Sequence, residues 1–194
     1  KGVDFKKDTE ETKGFLKEML INPFETIKKV ASGEENVFKK AIMIMIVFIV
    51  ASVAFKIISL GRYGKYYDFG DNLLGFVSSF LNPIFFIIVP AIVTLVFFNK
   101  NNKKSLVTVI STLVVANVPV VINYIIDIFA LIVSGITIIT GPISTALSAL
   151  AIVFTYHGMK ELYEEDSEKF FKKFVLIKCI AAFIIVILSR IGIY

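Results

Sequence analysis

The side chains best placed for chemistry lie near the C-terminal end of the chain. His157, Glu161, Glu164 and Glu168 share one helical face, with Glu165 and Asp166 beside them. Imidazole and carboxylates at i, i+4 spacing can share a metal ion. One helix rarely completes a coordination shell by itself, however. The same segment offers Glu165 to Lys169 and Glu168 to Lys172 as i,i+4 ion pairs. The expected result is a solvated helix face with no metal and no cofactor. Ser144 and Ser148 have no histidine or buried acid nearby in sequence to act as a base. Asp68-Phe69-Gly70 spells a kinase triplet without the other kinase elements and reads as a turn. A Walker loop, HExxH and paired membrane aspartates are all absent, so the chain reads as no enzyme.

The remaining polar groups interrupt apolar runs. Thr112, Ala116, Pro119, Asn123 and Asp127 recur at helical spacing, with Asn117 off that stripe. Pro83 and Pro90 lie on one face of the preceding run, where each removes a backbone hydrogen bond. Such stripes line transport paths, or they hold helices together through hydrogen bonds. The spacing serves both, and no ionisable residue falls at mid-membrane to favour a path. Thr140, Ser144, Ser148, Ala151 and Thr155 form a small-residue face, expected to be a packing face within one chain or between copies. Lys56 is expected to snorkel outward or to pair with Asp68, Asp71 or Asp127. The lone Cys179 excludes an intrachain disulfide and reads as a small buried hydrophobe.

The elements that position these residues follow from composition. The chain is 56% hydrophobic and 19% charged, and the apolar residues cluster into long runs. Five runs, approximately 37–60, 73–98, 106–126, 142–158 and 174–193, each come close to the ~20 residues that cross a bilayer as helix. Basic residues flank them unevenly. Lys28, Lys29, Lys39, Lys40, Lys100, Lys103, Lys104, Lys160, Lys169, Lys172 and Lys173 fall on one side, against Arg62, Lys65 and Arg190 on the other. Lysine-rich loops face the cytoplasm, which places the N-terminus inside and the C-terminus outside. The net charge of +5 thus belongs to the membrane flanks and does not indicate nucleic-acid binding.

The fold expected is an all-α polytopic integral membrane bundle of five transmembrane helices, with an N-terminal cytoplasmic amphipathic helix. Residues 1–33 read as cytoplasmic tail and interfacial helices, and residues 34–194 as the membrane domain. No signal peptide is visible in the hydrophilic N-terminus, and residues 1–14 read as a flexible tail. Asn22-Pro23-Phe24-Glu25 reads as a helix start, with Asn22 as N-cap and Glu25 completing a capping box. Phe15, Phe24, Ile27, Lys28 and Lys29 then form an interfacial anchor. That face either lies on the membrane surface or packs on the cytoplasmic ends of the spans. Residues 128–139 are too short an apolar run to span, and Gly141-Pro142 breaks helices. The expected path is a short helix or re-entrant segment at the outer face. One long kinked helix is the alternative.

This layout resembles the bacterial branch of the Yip family, five-span membrane proteins named for interacting with Rab-type GTPases. The resemblance rests on the cytoplasmic N-terminal segment, the close-spaced spans, the ending Ile193-Tyr194, and Asn22-Pro23-Phe24-Glu25-Thr26-Ile27-Lys28-Lys29 before the first span. The Asp-Leu-Tyr-Gly-Pro motif of the eukaryotic branch is missing, and Tyr66-Tyr67-Asp68-Phe69-Gly70 stands in that region. The resemblance implies the fold, a plasma or inner membrane location and, for the family, a GTPase partner. Beside it, the residues support a non-enzymatic membrane-organising or partner-docking protein. Its partners would be the bilayer and other membrane proteins or a second copy. The alternative is a small, oligomeric transporter or channel with a polar path along the second and third spans.

Overall fold

A computed structural model describes residues 5–33, 37–63, 69–98, 105–133, 137–163 and 167–190. Every element in the described residues is an α-helix: α1 (Phe5–Ile21), α2 (Pro23–Ser32), α3 (Val37–Tyr63), α4 (Phe69–Phe98), α5 (Leu106–Ala116), α6 (Val118–Ile132), α7 (Thr137–Tyr163) and α8 (Ser167–Arg190). Many of these segments are rich in Ile, Val and Phe, residues of high strand propensity. Helix wins because a bilayer offers no water to satisfy backbone groups, and a helix satisfies them within one segment. The same reason keeps α4 continuous through Pro83 and Pro90, both of which are buried against neighbouring helices.

Three helices are long and apolar enough to cross a membrane: α3, α4 and residues 139–163 of α7. The pair α5 and α6, bent by 42°, makes up to a fourth. The fifth apolar run lies in α8, where Lys178 interrupts it, and the described part of α8 falls short of the same measure. Of the most apolar stretch of each single crossing helix, only 28% in α3, 39% in α4 and 22% in α7 is buried. The rest faces outward, as expected where the solvent is hydrocarbon.

The centre is α5, which packs against α2, α3, α4 and α7. Val109 and every residue from 111 to 119 are buried. One apolar cluster runs from Phe15, Met19 and Ile27 through α3, α4 and α5 to Phe170 and Ile177. It crosses the expected boundary at residue 33 without a gap.

Four expectations change. First, the expected flexible tail is helical from Phe5 to Gly14, because α1 buries Thr12, Phe15 and Met19 against α2 and α3. Residues 1–4 lie outside the described set. Second, the third run is two helices, broken at Asn117. Third, α6 runs on to Ile132 and α7 begins at Thr137, so no separate short helix covers 128–139. Pro142 sits inside α7 near its start, where the missing N–H costs one early bond. Fourth, the expected loop 159–173 is mostly helix, because α7 reaches Tyr163 and α8 starts at Ser167.

Candidate functional site

The break in the third run assembles the polar residues there. Pro119 cannot donate to the Val115 carbonyl, so the α-helical ladder stops. Asn117 takes φ −96° and ψ 12° at the joint. Its backbone N–H donates to Leu113 at 3.1 Å and to Val114 at 3.2 Å. Its side-chain amide donates to the Leu113 carbonyl at 2.7 Å, and its own carbonyl accepts from Val120 at 2.9 Å. Asn117 is only 4% exposed, so these bonds replace the missing ladder where no water reaches. Thr112, fully buried one turn earlier, donates to the Thr108 carbonyl at 2.9 Å.

The lower part of the stripe ties α6 to α7. The Asn123 amide donates to Asp127 Oδ2 at 3.3 Å, and Ser144 donates to Asp127 Oδ1 at 3.3 Å. Asn123 Oδ1 is buried and unpartnered. Tyr124 packs against Phe48 and Phe55 of α3, with centroids 5.6 and 6.0 Å away. Further out, Arg62 of α3 donates to the Leu131 carbonyl of α6. Of the expected packing face, Ala151 and Thr155 are buried, Ser144 is half-buried and Ser148 is exposed. Residues 141–150 of α7 lie mostly at the surface.

At the C-terminal end of α7, α2 lies against α5 and α7 and buries Thr26, Ile27, Val30 and Ala31 completely. Gly158 makes this possible. A Cβ there would come within 2.7 Å of Thr112 Cγ2 and 2.9 Å of Ile27 Cγ2. Sequence reading missed Gly158, although it continues the Ala151, Thr155 spacing by one more step. Of the expected anchor residues, Phe15 and Ile27 are thus inside the protein, while Lys28 and Lys29 are exposed. Phe24 is 46% exposed and meets Phe154 and His157 edge-on, with centroids 5.5 and 4.9 Å away. Pro23 and Gly33 (φ 84°) bound α2 as expected. Asn22 makes no side-chain cap; the Thr26 hydroxyl bonds its carbonyl instead, at 2.9 Å.

An aromatic layer joins α4, α7 and α8 nearby. Phe98 stacks on Tyr163 at 4.3 Å, and Phe170 packs with Phe98 and Tyr156 at 5.6 and 5.2 Å. Lys173 Nζ lies 4.9 Å above the Phe98 ring. The segment expected to be a charged docking loop therefore contributes core. Its legible signal is Phe170 and Phe174, one helical turn apart.

His157 Nε2 stands 3.9 Å from Glu161, and Lys172 pairs with Glu168 at 2.8 Å as expected. Glu164, Glu165 and Asp166 lie outside the described residues. Among the described residues, no three His, Cys, Asp or Glu side chains gather to hold a metal. Lys56 lies against Gly75 of α4, whose missing side chain leaves room for the ammonium. Asp68 lies outside the described residues. Cys179 is exposed, contrary to the buried position expected, because the buried face of α8 carries Phe170, Phe174, Ile177 and Ala181 and position 179 falls off it.

Residues 17–189 match the family model described as Yip1 domain. No curated protein and no solved structure gives a match.

Proposed function

This chain belongs to the Yip1 domain family, and from that premise we propose a non-enzymatic, five-span integral membrane protein that organises partners or lipid through its cytoplasmic side. In this reading the N-terminus lies in the cytoplasm and the C-terminus outside, which the lysine distribution supports. The fifth crossing in this reading is the apolar run carried by α8. The observation that carries the reading is the seating of α2. Its apolar face is locked on α5 and α7, and the opposite face presents Glu25, Lys28 and Lys29 outward. A rigidly held charged face is a docking surface for a membrane protein, a GTPase or a second copy. Phe15, Phe24, Ile27, Lys28 and Lys29 then act as one unit, two of them seating the helix and the others facing outward. The polar groups Thr112, Asn117, Pro119, Asn123 and Asp127 serve as glue, since most of them bond within the bundle.

The test is photo-crosslinking in cells from position 28, with position 152 on α7 as a lipid-facing control. Partner adducts from 28 that disappear in a Lys28→Glu, Lys29→Glu chain support docking. Equal adducts from both positions, unchanged by the charge reversal, count against it. Cysteine accessibility at 13 and 133, in a Cys179→Ser background, reads the orientation. One feature favours transport as a second reading, namely the 42° break at Asn117, since broken helices hold substrates in transporters. Solute flux in liposomes that falls in Asn123→Leu would establish it.

A further inference from the structure

We infer that the α1–α2 hairpin enters the cytoplasmic leaflet tip first, with Leu20, Ile21 and Phe24 set among the acyl chains as a wedge in one leaflet. The inference rests on the membrane orientation proposed above.

Three sets of contacts fix the direction of the hairpin. The two helices turn at Asn22 and are joined by the Glu18–Lys29 pair at 2.6 Å. α1 descends alongside α3. Phe15 lies under Lys40, whose Nζ is 5.1 Å from the ring centroid. Further along, Leu16 and Leu20 share an apolar groove with Ile44, Val47 and Val121. α2 returns alongside α7, from Phe24 at Phe154 and His157 to Ile27 at Gly158.

Charge marks the level of the headgroups. On α3 no charged residue occurs between Lys40 and Lys56, and on α7 none precedes Lys160. The tip lies on the hydrocarbon side of both Lys40 and Lys160. The step from Lys40 to Val47 corresponds to about 10 Å along a helix, within the ~5–10 Å to which interfacial helices sink. The hairpin's own polarity follows the same axis. Glu10, Glu11, Lys13 and Lys17 are exposed toward its base. Leu20 is 67% and Ile21 64% exposed at its tip. Glu25 and Glu18, the latter paired with Lys29, are the charged groups nearest the tip, and Lys28 follows Glu25 on the same exposed face, one turn nearer the base.

Acyl chains are the occupant this surface fits. The exposed tip is continuous with the outward apolar face of α3, where Ile46, Val47 and Val50 are also exposed. The groove beside it, about 150 Å³, is lined by apolar side chains alone, and hydrocarbon is what a bilayer supplies there. A wedge in one leaflet adds area on one side, so the chain should favour membranes convex toward the cytoplasm.

The chain has no tryptophan, so a single introduced indole reports its own depth. Leu20→Trp, Ile21→Trp, Val50→Trp on the outward face of α3 and Lys13→Trp at the hairpin base go separately into phosphatidylcholine–phosphatidylglycerol vesicles. Lipids brominated near the headgroup, lipids brominated near the chain end, and aqueous iodide serve as quenchers. The expected result is quenching of positions 20 and 21 by headgroup-proximal bromine, of position 50 by bromolipid, and of position 13 by iodide. If position 50 follows bromine while 20 and 21 follow iodide, the wedge is overturned and the spanning fold stands. If position 50 also follows iodide, the membrane reading itself fails, and the wedge with it. As a second measure, the wild-type chain should enrich on narrow membrane tubes by about two-fold or more, and L20S/I21S/F24S should lose that enrichment. Equal enrichment of both chains would remove the wedge as the cause.

Discussion

The two ends of α7 use the same kind of residue for opposite ends. Around Gly158 the absence of a side chain lets Ile27 of α2 and Thr112 of α5 converge on one backbone position. Around residues 141–150 the helix is equally rich in Gly, Ser, Thr and Ala, yet most of them face outward. A Cβ at Gly141 would meet nothing within 4 Å. Small residues permit close approach, but a stripe of them does not say whether a neighbour is present. Here only the C-terminal end has one on two sides, and the open stretch meets α6 on one side, with Ser144 bonded to Asp127.

Substitutions can break this contrast or sharpen it. The largest effect is expected at Gly158. Gly158→Leu should cost about 3 kcal/mol or more, and Gly158→Ala about 1–3 kcal/mol, read as a lower unfolding temperature in detergent. An unchanged temperature for Gly158→Leu would mean that the three helices do not converge there. Asn117→Leu should cost about 1–3 kcal/mol, because the Leu113 carbonyl loses its side-chain partner in a buried joint. Asp127→Ala releases Asn123 and Ser144 together and should cost about 1–2 kcal/mol. It should also raise proteolysis or hydrogen exchange in 137–150 more than in 151–163. Gly141→Ala should go the other way and stabilise by about 0.5–1 kcal/mol, since an exposed helix position gains from alanine. Ser148→Leu should stay within about 0.5 kcal/mol in the isolated chain, measured by the same melt. A loss of oligomer in Ser148→Leu, without a change in melting, would show that a second copy covers the open stretch.

Much of the fold was legible from particular residues. The runs that became α3 and α4 were clear because each carries over twenty nearly uncharged residues. Pro23 and Gly33 announced the bounds of α2 through fixed φ and positive φ. Pro119 was noticed, but it was placed on a continuous helix. Whether a proline breaks a helix depends on neighbours that rescue the freed carbonyl, and Pro83 and Pro90 show the other outcome. The start of α7 was set five residues late, because Gly141-Pro142 reads as a breaker when taken alone. The first half of α1, Phe5 to Gly14, was read as a tail because its composition is polar. The helix is held by Thr12, Phe15 and Met19 against other helices.

By itself the sequence determined that this chain is helical and membrane-embedded. Long apolar runs and one-sided lysines leave few alternatives when every backbone group must bond within its own segment. It could not determine which apolar faces meet protein and which meet lipid. In water the distinction follows hydrophobicity, but acyl chains are as apolar as leucine, so composition carries no preference between them. Tertiary contact made that decision: α5, with its broken end at Asn117, went to the centre, α7 kept an open N-terminal half, and Gly158 became the point where the N-terminal hairpin locks on.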